Sequence, residues 1–140
     1  MAEGQLSYPE LLVKGFLSIA AVLAWLFGAM LLWSPGKFYA PAGIVMTPLL
    51  ATVAQAHGAT LVGVGVIDWM AREAEGRGLI AVLGGNLVIQ ILSLGVVLRT
   101  MGLGAGSAVA PGVAIHVVLG SLFAFFLLRA RGAGTARNAA

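Results

Sequence analysis

The sequence predicts an all-α membrane protein, a bundle of four transmembrane helices running up-down-up-down. Three observations lead there. Apolar residues make up 60% of the 140 residues and charged residues only 9%, against about 25% charged in a soluble domain. A soluble fold this short keeps much of its surface in water and could not hide so much apolar area, whereas lipid is a solvent for it. The apolar residues also fall into four long continuous runs, and they do not alternate as barrel strands do.

The first span reads from 11 to 33, about the 20 residues that cross a bilayer core. Lys14 lies near its start and can snorkel to the headgroups. Ser34, Pro35 and Gly36 end it. Pro41, Gly43 and Pro48 break the segment that follows, and Trp33, Phe38 and Tyr39 suit an interfacial aromatic belt. Pro48 opens the second span, 48–69, where a helix accepts proline. A charged turn with Arg72, Glu73, Glu75 and Arg77 leads to the third span, 79–98, which stops at Arg99. Thr100 to Ala110 is rich in Gly, Ala and Ser and reads as a flexible loop. Pro111 opens the fourth span, 111–128. One membrane domain therefore covers 1–131, and 132–140 reads as a disordered C-terminal tail.

The first ten residues carry Glu3 and Glu10 and lack a basic leader region, so the first span is expected to stay attached. With four spans, Lys14, Arg72, Arg77, Arg129, Arg131 and Arg137 share one side and Lys37 and Arg99 the other. That bias predicts a multi-pass membrane protein with both termini cytoplasmic. The net charge of +3 is thus a topology feature. No basic stripe interleaved with aromatics points to nucleic acid. Cysteine is absent, which excludes disulfides, Cys-zinc sites and thiol chemistry.

Small residues at four-residue spacing let membrane helices approach closely. Ala54 and Gly58, then Ala59 and Gly63, form such pairs, and Gly112, His116, Gly120 and Ala124 form a stripe. They serve packing within the bundle or a self-association face that makes a homo-oligomer.

Polar groups within the spans are Gln55, His57, Asp68, Asn86, Gln90, Ser93 and His116, and each needs a reason in lipid. Asn86, Gln90 and Ser93 recur on one face of the third helix and predict an inward hydrogen-bonding stripe. Asp68 stands at the membrane boundary, with Arg72 at i+4 and Arg77 as expected partners in an ion pair. The other reading of Asp68 is a proton entry point, as in a coupled transporter. His57, Gln90 and His116 lie about 14, 13 and 8 Å from the outer ends of their helices and could meet in the outer half. Gly112 and Gly120 leave room beside His116 for a tetrapyrrole such as haem or a chlorophyll-type pigment, or for a quinone. The plain alternative is hydrogen bonding within the bundle. Zinc wants at least three protein ligands, more than two histidines supply. Phosphate-binding and nucleophile motifs are missing, and no catalytic residue is assigned.

The segments FGAMLLWSPGKFYAPAGI, HGATLVGVGVIDWMAR, RGLIAVLGGNLVIQIL and FAFFLLR together resemble a broad group of small bacterial four-helix membrane proteins, DoxX-like in a loose sense. The likeness covers residues 11 to 131 and implies the same four-helix topology and a place in the bacterial inner membrane. It brings no catalytic residues with it. Small multidrug transporters, fluoride channels and glutathione-linked membrane transferases share the size, but their signature residues are missing here.

Taken together, the residues predict a non-enzymatic membrane protein, an accessory subunit of a larger membrane assembly. Its partners would be the lipid bilayer and other membrane proteins or copies of itself. Two alternatives stand beside it. One is a redox or pigment protein holding a tetrapyrrole or quinone through His57 and His116. The other is a small oligomeric transporter or channel working around His57, Asp68, Asn86 and Gln90.

Overall fold

The computed structural model describes residues 8–105 and 109–138. Five α-helices follow one another there: α1 Tyr8–Trp33, α2 Pro35–Tyr39, α3 Pro48–Ala71, α4 Gly76–Thr100 and α5 Ala110–Asn138. Helices α1, α3, α4 and α5 are long and apolar enough to cross a membrane, over Glu10–Trp33, Pro48–Ala71, Gly76–Gly104 and Ala110–Gly132. The protein is therefore an all-α, multi-pass membrane protein built as a four-helix bundle. Only helices satisfy every backbone group within one segment, which lipid requires. The hydroxyls follow the same logic. Ser18, Thr52, Thr60, Thr100 and Ser121 each donate to the carbonyl one turn back in their own helix.

Helix α2 is a feature that the sequence reading leaves unassigned. After Ser34, Pro35 sits in the first turn, and a 3₁₀ turn over Ala40–Ala42 ends on Gly43 at φ 70°. That left-handed backbone is nearly free of strain for glycine alone. The rings of Phe38 and Phe27 stand 6.0 Å apart edge to face, which pins α2 to the end of α1. Thr47 then caps α3 by accepting from the Leu50 amide at 3.2 Å, and Pro48 lacks the N–H that would go unsatisfied there.

The spans pair as two antiparallel hairpins, α1 with α3 and α4 with α5. In the first hairpin Gly28 and Gly58 lie opposite each other. A Cβ on Gly58 would come within 2.7 Å of the Gly28 carbonyl oxygen. Gly65 makes room for the Trp25 indole in the same way. Lipid offers helices no hydrophobic drive to associate, so such close backbone approach supplies the dispersion contacts that hold them. In the second hairpin Gly112 faces Val97, and Gly120 faces the Cβ of Gln90.

The hairpins join at the end where α1 begins and α5 finishes. Phe16, Leu17 and Ala20 of α1, Ala71 of α3, Leu83 of α4, and Phe123, Phe126 and Leu127 of α5 form one buried cluster. Phe16 meets Phe123 at 4.7 Å edge to face and stacks on Phe126 at 4.9 Å. At the same end Lys14 pairs with Glu73 at 2.6 Å, tying α1 to the turn after α3.

Several boundaries differ from the sequence reading. Helix α4 begins at Gly76, three residues before the expected 79. Where a disordered tail was expected over 132–140, α5 continues to Asn138, since adding residues to a helix already formed avoids the cost of nucleating one. The expected loop is in part a turn over Met101–Ala105 with Gly104 at φ 105°. Residues 1–7, 106–108 and 139–140, the last two of the expected tail, lie outside the described residues.

The Lys14–Glu73 pair has a measurable consequence. The hydrogen bond from Lys14 holds the Glu73 carboxyl below the usual carboxylate range. A depressed folded value gives stability that is present above the unfolded value and is lost as pH falls through the folded one. Lys14→Gln is therefore expected to move the Glu73 titration, followed by NMR, back up toward an ordinary glutamate. The pair is exposed, so high salt should weaken the shift.

Candidate functional site

Helix α4 carries the polar interior. Its 3.6-residue repeat places Asn86 and Gln90 one turn apart on the face that meets both hairpins. Asn86 is 6% exposed and Gln90 9%. They bond in opposite directions. Asn86 donates from Nδ2 to the Asp68 carboxylate on α3 at 2.7 Å, and its other N–H goes to the Val82 carbonyl at 3.2 Å. The Gln90 amide oxygen lies 2.7 Å from His116 Nδ1 on α5. Ser93, the third residue of the stripe, is half-buried and forms no hydrogen bond among the described residues.

Asp68 is the most deeply buried of these groups, at 1% exposure. Its expected ion pair with Arg72 or Arg77 does not form. Arg72 ends α3 as its C-cap, and its guanidinium lies 3.3 Å over the Trp69 ring. Its guanidinium is thus engaged by Trp69. The carboxyl faces α4 and takes a neutral amide as partner, so the Asp68–Asn86 bond links one hairpin to the other within the bundle.

An amide oxygen only accepts, so Nδ1 of His116 is the donor to Gln90. In the neutral imidazole this leaves the lone pair on Nε2. His116 and Gln90 line an open cleft of about 280 Å³ with Leu87, Leu94, Gly120 and Ala124. A second open cleft of about 280 Å³ lies between α3 and α4, beside Asn86, Gly85, Val64 and Ile89. His57 is exposed on α3 and forms no hydrogen bond among the described residues. Gln55 serves the first hairpin instead, donating to the Leu32 carbonyl on α1 at 3.0 Å.

The structure thus brings together Asp68 with Asn86 and Gln90 with His116, and leaves His57, Gln55 and Ser93 outside these pairs. No cluster of three or more His, Cys, Asp or Glu able to hold a metal occurs among the described residues. The same residues hold no buried side-chain N or O without a hydrogen-bond partner. The polar interior is therefore self-satisfied, and its first chemical effect is to fix how the helices register. The chain matches no family model, no curated protein and no solved structure.

Proposed function

We propose that the protein is a non-enzymatic integral membrane protein that acts as an accessory subunit of a larger assembly in the bacterial inner membrane, with both termini cytoplasmic. The observation that carries this reading is the division of the helix faces. The buried polar groups are used on one another, as Asp68–Asn86 and Gln90–His116. The outward faces are largely apolar, with His57 exposed on α3, and α3 presents Ala59 and Gly63 there with open space over Gly63. Such a surface associates by packing against other membrane helices. The excess of Lys and Arg at the end that carries the termini supports the orientation. The resemblance to small four-helix bacterial membrane proteins accords with it. Purification of the tagged protein from its native host in mild detergent tests the reading. A discrete larger complex with defined partner subunits is expected. A monodisperse particle of monomer mass with no companion would overturn it.

The Gln90–His116 pair favours a second reading, a redox or pigment protein holding a tetrapyrrole or quinone. A histidine that binds a cofactor through one ring nitrogen commonly donates its other N–H to a carbonyl, which orients the ring. His116 has that arrangement, and Gly120 opens the cleft beside it. Protein from the native host would then show a visible absorption band, or a quinone in its solvent extract. His116→Ala is expected to remove it, with Gln90→Leu weakening retention about 10-fold or more. Native protein with neither band nor quinone eliminates this reading.

A further inference from the structure

A column of three side chains runs down the lipid-facing side of the first hairpin. Gly65 leaves the space that the Trp25 indole occupies against α3, where a Cβ would come within 2.5 Å of the ring. Trp25 meets Trp69 at 5.5 Å between ring centroids. Trp69 in turn carries the guanidinium of Arg72, 3.3 Å above its ring, and that cation also donates from Nε to the Trp69 carbonyl at 2.7 Å. Stacking and this hydrogen bond hold the guanidinium plane from two directions.

The outer nitrogens of Arg72 donate to nothing among the described residues. The adjacent acid, Glu73, is committed to Lys14 at 2.6 Å. Arg72 follows directly on the last residue of a membrane span, Ala71. Trp69 beside it is 40% exposed, as an interfacial tryptophan is. A fixed guanidinium at headgroup depth, with two free N–H donors side by side, matches two oxygens of a phosphate.

We propose that Arg72, seated on Trp69 and Trp25, forms a binding site for the phosphate headgroup of an anionic phospholipid. The acyl chains would lie along the exposed apolar face of α3, past Val66 and Met70. This site lies apart from the polar interior and does not depend on the subunit reading.

The full chain carrying Trp33→Phe tests it, because Trp33 is the remaining tryptophan and lies at the opposite end of the span. The protein is reconstituted in phosphatidylcholine vesicles containing brominated phosphatidylglycerol or, separately, brominated phosphatidylcholine. Fluorescence then reports quenching of Trp25 and Trp69. Phosphatidylglycerol is expected to quench at a mole fraction about fivefold lower, the factor that one basic side chain supplies at an anionic surface. Arg72→Ala should abolish the preference, Arg72→Lys should reduce it by losing the planar stack, and Arg77→Ala should retain it. Circular dichroism checks that each variant remains helical. Equal quenching by the two lipids, or a full preference in either Arg72 variant, overturns the proposal. Loss of the preference on adding inorganic phosphate would assign the site to the free anion and overturn the lipid assignment.

Discussion

Gly58→Ala is expected to destabilise the protein, although alanine favours a helix over glycine. Two opposing effects meet at this position. In a helix interior, replacing glycine by alanine contributes about 1 kcal/mol of stability through backbone entropy. At Gly58 the new methyl would lie 2.7 Å from the Gly28 carbonyl oxygen, 2.9 Å from the Leu31 Cβ and 3.0 Å from the Leu32 amide nitrogen. Two of those atoms are backbone and the third is fixed to it, so no side chain can rotate away. Relief requires α1 and α3 to separate, which also loosens the seat of Trp25 over Gly65 about two turns further on.

Overpacking a well-packed site typically costs about 1–3 kcal/mol, and the backbone contact puts Gly58 at the upper end. The net loss should be about 2 kcal/mol for Gly58→Ala, and Gly58→Leu should prevent the hairpin from closing. Gly63 supplies the comparison. It is on the same helix, five residues on, with nothing within 4 Å of its added Cβ. Gly63→Ala should therefore be neutral or more stable by up to about 1 kcal/mol. Unfolding midpoints in a denaturing-detergent titration measure both. Equal effects of one sign at Gly58 and Gly63 would refute the close approach of α1 and α3.

That contrast also shows where the sequence stops being legible. Ala54 and Gly58, and Ala59 and Gly63, are equivalent as patterns. Only the packing partner decides that the first pair is enclosed by α1 and the second faces outward. The four spans were legible because lipid imposes one demand, twenty or so apolar residues in a helix, that composition displays directly. The inward turn of Asn86 and Gln90 was legible from helical periodicity. Their partners were not, because periodicity gives a face and not the helix that will lie against it. Asp68 illustrates the failure. Spacing at i+4 favours Arg72, yet Arg72 is where α3 ends, and a helix-terminal side chain is free to fold back onto Trp69. Helix α2 was missed because five residues containing Pro35 and Gly36 carry little helix propensity. Ser34 before Pro35 is a helix-start pattern that could have exposed it.

The second large effect is expected at Asn86, and its size depends on what remains behind. Hydrogen bonds between side chains inside membrane proteins contribute only about 0.6 kcal/mol on average, because the separated helices find other partners. Asp68 has little access to such replacements in the folded bundle. It is 1% exposed, and Asn86 is its hydrogen-bond partner among the described residues. Asn86→Leu leaves that carboxyl buried without a donor, a situation that costs about 1–3 kcal/mol and more for a charged group. A loss of about 3 kcal/mol is therefore expected, well above the membrane average. Asp68→Asn keeps an acceptor oxygen facing Asn86 and should cost under about 1 kcal/mol. The double variant Asp68→Leu with Asn86→Leu removes both polar groups at once. Its cost should fall short of the sum of the single variants by about 1–2 kcal/mol, the coupling expected of residues in contact. The same detergent titration gives all four values. Strict additivity would mean that the bond does not join the hairpins, and their registry would then rest on the Phe16, Phe123 and Phe126 cluster alone.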